Sequence, residues 1–225
     1  KILTQTKNYV IAHKPSGFLV YAESPKEEVL SLQTFLQEQL NRKVYPVHRL
    51  DKQTDGLIIY AFSKEGADKL RKVFQSKSVE KTYLAFCHDH FTEERIRVDA
   101  PLKKNKQKVT EKAVTIIEPV QNIDIELRGE KRKYSVVMCY PETGRFHQIR
   151  RHLRHIKHPI VGDSIYGNSW NNEAFQEEFR VDRTLLSAIT LKFQDPWSKQ
   201  NILVKTKLDF DFANLLNSLN VKVNF

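Results

Sequence analysis

Tyr45-Pro-Val-His-Arg-Leu-Asp-Lys-Gln-Thr-Asp-Gly-Leu-Ile-Ile-Tyr60 runs a charged triplet into a tight turn and then into an unbroken apolar segment. Residues 52–55 are polar and Gly56 follows, which is turn chemistry; the apolar run from Gly56 to Phe62 reads as a buried strand. Asp51 is therefore expected at a strand end, near a sheet edge, where a reactive carboxylate can be held. Asp55 reads as a turn former rather than as a second catalytic carboxylate.

Working outward, residues 8–13 alternate and meet Pro15-Ser16-Gly17, a strand running into a turn ahead of the short apolar run 18–21. In residues 27–40, Val29, Leu32, Phe35, Leu36 and Leu40 recur at helical spacing behind Ser24-Pro25, predicting an amphipathic helix. Ser63 caps a second helix, with Ala67, Leu70, Val73 and Phe74 on one face and Lys64, Lys69, Arg71 and Lys72 on the other. Residues 79–87 form a strand carrying Tyr83. Lys103, Lys104, Lys106 and Lys108 lie in a loop over 101–108, where flexible ammonium groups can neutralise phosphates. Further β-rich runs at 113–117, 123–127 and 134–140 surround a turn at 129–131. Residues 168–179 read as a surface excursion, 184–193 and 202–207 as late strands, and 211–219 as a closing helix. The pattern predicts an α+β fold, one domain over residues 1–225, with a mixed, mostly antiparallel sheet flanked by helices.

In residues 141–163 the advance of about 100° per residue places Phe146, Ile149, Leu153 and Ile156 on one helix face with Arg150 at its border. Arg150 is thus drawn under the surface, where a guanidinium needs a carboxylate or a set of carbonyls; Asp51 is the expected partner. Arg151, Arg154, His147 and His158 point the other way, and Arg151 and Arg154 are expected to meet phosphates. His147, His152, His155 and His158 do not make a metal motif, since neither HExxH nor paired thiols accompany them.

Thirty-seven Lys plus Arg oppose 27 Asp plus Glu, giving a formal +10 and a pI near 9.5, which favours a polyanionic partner, nucleic acid before an acidic surface. Cys87 and Cys139 lie in apolar, β-branched stretches without CxxC spacing, as expected of buried thiols in a reducing compartment such as the cytoplasm. No apolar run is long enough to span a bilayer, so no membrane partner is expected.

His48-Arg49-Leu50-Asp51-x-x-Thr54-x-Gly56 resembles the signature of the pseudouridine synthases, in the branch that modifies uridines of large-subunit ribosomal RNA and transfer RNA. Four further segments resemble that branch: His13-Lys14-Pro15-Ser16-Gly17, with His13 where the family carries Asn; Lys81-Thr82-Tyr83; Thr143-Gly144-Arg145-Phe146-His147-Gln148-Ile149-Arg150 followed by His158-Pro-Ile-Val-Gly-Asp163; and Leu185-Leu186-Ser187-Ala188, with Ser187 where His is usual. The resemblance implies isomerisation of a uridine already in RNA: its glycosidic C–N bond breaks, the uracil turns, and a C–C bond forms to the same sugar carbon. It implies no cofactor and no metal. Asp51 is the implied catalytic residue, as nucleophile at the sugar or base at C2′. Arg49 is expected to fill the space the flipped base vacates, Tyr83 to stack on the base, and Arg150 to orient Asp51 and keep it ionised. The doubled Arg150-Arg151 resembles members acting on the acceptor arm of transfer RNA, with ribosomal RNA the alternative substrate. A monomer is expected, without the small N-terminal RNA-binding domain that many relatives carry. A non-catalytic RNA-binding module would share the charge but would not require Arg49-Leu50-Asp51 and Arg150.

Overall fold

The computed structural model describes residues 1–22, 30–76, 78–104 and 109–223. In chain order its elements are β1 (Ile2–Gln5), β2 (Tyr9–Lys14), α1 (Leu32–Leu40), β3 (Tyr45–Pro46), β4 (Asp55–Ala61), α2 (Lys64–Gln75), β5 (Glu80–His88), β6 (Ile96–Val98), β7 (Leu102–Lys103), β8 (Thr110–Glu111), β9 (Thr115–Leu127), β10 (Glu130–Pro141), α3 (Gln148–His155), α4 (Ser169–Phe179), β11 (Leu186–Gln194), β12 (Asn201–Lys205) and α5 (Phe210–Ser218). They fall into two compact units, residues 1–81 with 188–209 and residues 82–187 with 210–225.

In the first unit the strands run β1-β2-β4-β11, with β3 paired to β4 and β12 to β11. The pairs β1–β2, β2–β4, β3–β4 and β11–β12 are antiparallel. All seven residues of β4 are buried, the consequence of its continuous apolar run. Tyr9, Ile11, Leu57, Ile59, Leu191 and Phe193 form one core face, and Ala67 and Leu70 of α2 close over it. Burying each Leu, Ile or Phe here is worth roughly 1.5–3 kcal/mol, and that packing, more than helix propensity, fixes α2. Ser63 caps α2 as its sequence position implies, accepting from the Gly66 amide at 2.9 Å.

The second unit orders its strands β5-β10-β9-β6, all adjacent pairs antiparallel, with β7 and β8 as a separate short hairpin. Phe86, Tyr134 and Phe175 pack ring to ring in its core.

Three expectations change. The first helix starts at Leu32 with Ser31 as its cap; residues 23–29, including Val29, lie outside the described residues, and Phe35 is half exposed. The serine hydroxyl takes the Thr34 amide, so the cap sits where Ser meets the first buried Leu. The supposed surface excursion after Gly167 contains α4, capped by Asn168 and anchored by fully buried Phe175, and its Asn171 accepts the Tyr134 hydroxyl at 2.7 Å. The polar run hid one buried aromatic. Asp55 is no turn residue either: it opens β4 and is fully buried.

Candidate active site

In the first unit, β3 brings Tyr45 and Pro46 antiparallel to Ala61 and Tyr60, and the Val47 amide continues the contact to the Ile59 carbonyl at 3.1 Å. The chain then turns at residues 51–54, closed by the Thr54 amide on the Asp51 carbonyl at 3.1 Å, and re-enters as β4. Asp51 therefore stands not at a strand end, as expected, but in the turn between β3 and β4, four residues before β4; it is half-buried, with Arg49 exposed nearby.

Several side chains hold this turn. His48 stacks on Phe74 at 4.7 Å, and its Nε2 accepts the Ile59 amide at 3.2 Å. Burial, then the charge of Lys81, pulls its pKa down to about 3, so the ring stays neutral and able to accept. Lys14 is fully buried; its ammonium donates to the carbonyls of Pro15, Phe18 and Lys52 at 2.9, 2.9 and 3.0 Å. The Gly17 amide meets that same Lys52 carbonyl, and the Ser16 hydroxyl donates to the Gln53 carbonyl. Thus Lys14-Pro15-Ser16-Gly17 is a brace for the residues directly after Asp51. Gly56 has φ +114°, and a Cβ there would lie 2.2 Å from the Ala188 carbonyl oxygen, so the approach of β11 admits only glycine.

His13, at the position where the family carries Asn, sets Nδ1 on the Thr206 hydroxyl at 2.8 Å and Nε2 on Asp209 at 2.7 Å, with the Asp55 carboxylate 4.0 Å away. Among the described residues His13, Asp55 and Asp209 form the group whose ligand atoms come within 4.8 Å of one another, the spacing a metal would need. The histidines of the basic helix do not converge this way. His152 is buried between the Thr115 hydroxyl and the Ala100 carbonyl, and His158 bonds the His88 carbonyl.

In the second unit, Tyr83 lies half-buried on β5 opposite Cys139 of β10. Arg150, on α3, is 5% exposed, as helical spacing required. One carboxylate that this burial calls for comes from Asp163: Arg150 donates from Nε to Oδ2 at 2.7 Å and from Nη2 to Oδ1 at 2.8 Å. Sequence reading named Asp51 as the partner and gave Asp163 no role, although Asp163 ends the quoted His-Pro-Ile-Val-Gly-Asp segment. Burial raises the Asp163 pKa, but the Arg150 hydrogen bonds and the amides of Tyr166 and Ile165 outweigh it and hold the carboxyl below its ordinary value. The segment is placed by backbone pairing, His88 amide to Pro159 carbonyl and Val161 amide to Phe86 carbonyl.

The turn into α3 is locked by Gln148, whose Nε2 donates to the Val114 carbonyl and Thr115 hydroxyl while its Oε1 accepts from Thr143 and the Arg145 amide. Sequence reading gave Gln148 no role. Arg154 is exposed on α3; Arg151 is half-buried and donates to the carbonyls of Lys103 and Phe146. Lys106 and Lys108 lie outside the described residues. Cys87 and Cys139 are buried free thiols.

A sequence model described as RNA pseudouridylate synthase matches residues 8–155. A protein of Vibrio vulnificus (strain CMCP6) named tRNA pseudouridine synthase C is 32% identical over 223 residues, covering 93% of this chain and 91% of its own. The protein of that name from Pasteurella multocida (strain Pm70) is 33% identical over 238 residues, covering 100% and 98%. Human RNA Pseudouridylate Synthase Domain Containing 4 shares the fold with a TM-score of 0.76 at 23% identity, over 99% of this chain and 94% of that one. With the Asp51 turn and the Arg150 helix both in place, the chain belongs to the RNA pseudouridylate synthase family. It is thereby an isomerase acting on RNA. Among the described residues no helix is long and apolar enough to cross a membrane.

Proposed function

We propose that this protein converts a uridine of transfer RNA, in the acceptor arm, to pseudouridine, with Asp51 as the catalytic carboxylate and no cofactor. The observation that carries the reading is the bracing of Asp51: it follows Arg49-Leu50, opens the turn that leads into β4, and is backed by Lys14 and Gly17, which grip that turn at the Lys52 carbonyl. A nucleophile or base that must meet one sugar atom gains from such fixed geometry, because misplacement by about 1 Å can cost about a hundredfold in rate. The transfer RNA assignment is supported by relatives named for that substrate, which this chain matches over nearly its whole length.

The base is flipped from its stack at a cost of roughly a few kcal/mol. Exposed Arg49 enters the vacated space, and Tyr83 stacks on the extruded uracil. Arg150, held flat by Asp163, serves the binding of the flipped nucleotide and the charge on Asp51. Arg151 and Arg154 take phosphates. The chain works as a monomer, in the cytoplasm, and as one catalytic domain, consistent with a family match that runs from the first unit into the second.

Carbodiimide-dependent primer stops on transfer and ribosomal RNA, from cells with and without this protein, test the reading. One acceptor-arm transfer RNA signal should vanish; a lost signal in ribosomal RNA instead would reassign the substrate. Asp51→Asn should abolish turnover while RNA binding stays within about tenfold, and retained turnover would remove Asp51 from its role.

A further inference from the structure

We infer that a cleft at the far end of β4 from Asp51 is a second RNA contact, which takes a phosphate-bearing nucleotide of the substrate other than the reacting uridine. This rests on the proposed function for its ligand. The cleft, of about 300 Å³, lies wholly in the first unit and is lined by Lys7, Arg42 and Lys69 around Phe62 and Trp197, with Glu65 as the acidic lining residue. That volume is at the lower end for small-ligand sites, enough for one nucleotide rather than a protein loop.

The cleft's cations differ from the glutamate-paired arginines of the second unit. Arg95, Arg97, Arg128 and Arg132 each rest against a glutamate. Among the described residues, Lys7, Arg42 and Lys69 make no salt bridge; Arg42 lies over the Phe62 ring at 3.7 Å and Lys69 over Trp197 at 4.9 Å. An aromatic face holds a cation in place without neutralising it, so the positive charge stays available to an anion. Trp197 is itself backed by Tyr9, with ring centroids 6.0 Å apart at 27°, which leaves it a fixed plane.

Cations interleaved with aromatic planes are the pairing that grooves for single-stranded nucleic acid use, phosphate on the cation and base on the ring. An acidic peptide would need the cations but not the rings. Asp51 lies four residues before β4 and Phe62 directly after it, so the two sites flank opposite ends of a seven-residue strand that runs about 23 Å at roughly 3.3 Å per residue. The cleft therefore engages RNA several nucleotides from the target, reading position rather than the reacting base.

The chain has two tryptophans, so Trp170→Phe leaves Trp197 as the only indole reporter. In that background a tRNA transcript should quench Trp197 over the same concentrations that give filter retention. Lys7→Ala with Lys69→Ala should weaken RNA binding about tenfold and lower the salt slope by about 1.4–1.8, the value for two phosphate contacts. Lys7→Arg with Lys69→Arg should restore both. Lys7→Glu, at an exposed position, repeats the test without touching the Trp197 wall. Unchanged affinity and slope, or an indole that ignores RNA, would overturn the inference; so would equal quenching by polyglutamate, which would make this a site for acidic protein. Pseudouridine formation scored in the same samples separates the two readings. Binding through the cleft without isomerisation defeats the proposed function alone, and isomerisation with unaffected binding in the variants defeats the cleft alone.

Discussion

The Arg150 guanidinium meets the Asp163 carboxylate edge to edge, Nε to Oδ2 at 2.7 Å and Nη2 to Oδ1 at 2.8 Å, with both side chains out of solvent. Taking one member from a buried pair leaves the other charged and unmatched, at about 3–5 kcal/mol. Asp163 also receives the amides of Ile165 and Tyr166, so its loss frees backbone donors as well. Asp163→Ala should cost at least about 3 kcal/mol in urea unfolding, with Asp163→Asn less severe because it keeps one acceptor. A midpoint within error of wild type would mean that Arg150 is stabilised mainly by other partners.

Gly56 is fixed by two constraints at once, a φ of +114° and a backbone oxygen where its Cβ would be. The clashing atom is main chain, Ala188 O, and cannot rotate away. Gly56→Ala should therefore separate β4 from β11 locally, lower stability by about 3 kcal/mol or more, and displace the Asp51 turn at its base. Circular dichroism melts and isomerisation assays on the soluble fraction would check this. A fully active, equally stable Gly56→Ala would show that the strand spacing adapts.

How much of this was legible depended on whether the signal was local. The Asp51 turn, the Ser63 cap and the burial of Arg150 each follow from residues within one helical turn or one hairpin, where spacing and residue type suffice. Phe175 was missed because a single buried aromatic in a polar helix creates no periodic stripe. Asp163 was missed because its partner lies 13 residues away across a turn, and no rule of spacing links them. The roles of Lys14 and His48 are invisible for a related reason: both act on backbone atoms, and a carbonyl carries no sequence signature. Lys14 is the stronger example, since a lysine beside a turn reads as solvated while its actual environment is three carbonyl oxygens.

His48 provides a pH signature. Its ring is neutral in the folded chain, with a pKa down to about 3 against an ordinary 6.5. The unfolded chain takes up a proton as pH falls through about 6.5, whereas the folded chain does not. The stabilisation is therefore complete above that pH and is lost as pH falls from about 6.5 towards 3, by up to about 1.4 kcal/mol per pH unit. His88, brought down to about 4 by burial, adds to the slope in the same direction. Urea midpoints measured from pH 8 to pH 5 should decline below about 6.5, and His48→Gln, which retains an acceptor for the Ile59 amide, should flatten the decline. Equal slopes in the two proteins would place the proton uptake elsewhere.

Lys14 tests whether the brace matters to chemistry or only to folding. Its ammonium is desolvated, and three carbonyls replace its water, so removing the charge leaves three oxygens short of a donor. One of those oxygens belongs to Lys52, adjacent to Asp51, so the turn loses a restraint one residue from the carboxylate. Lys14→Met keeps the volume and removes the donor; kcat should fall about tenfold or more while RNA affinity changes less than threefold, because the residue lies behind the turn. Lys14→Arg should not rescue, since a planar fork cannot reach three carbonyls gathered around a compact ammonium. A Lys14→Met enzyme that loses stability but keeps wild-type kcat at a temperature where it is fully folded would reduce the brace to a purely structural part.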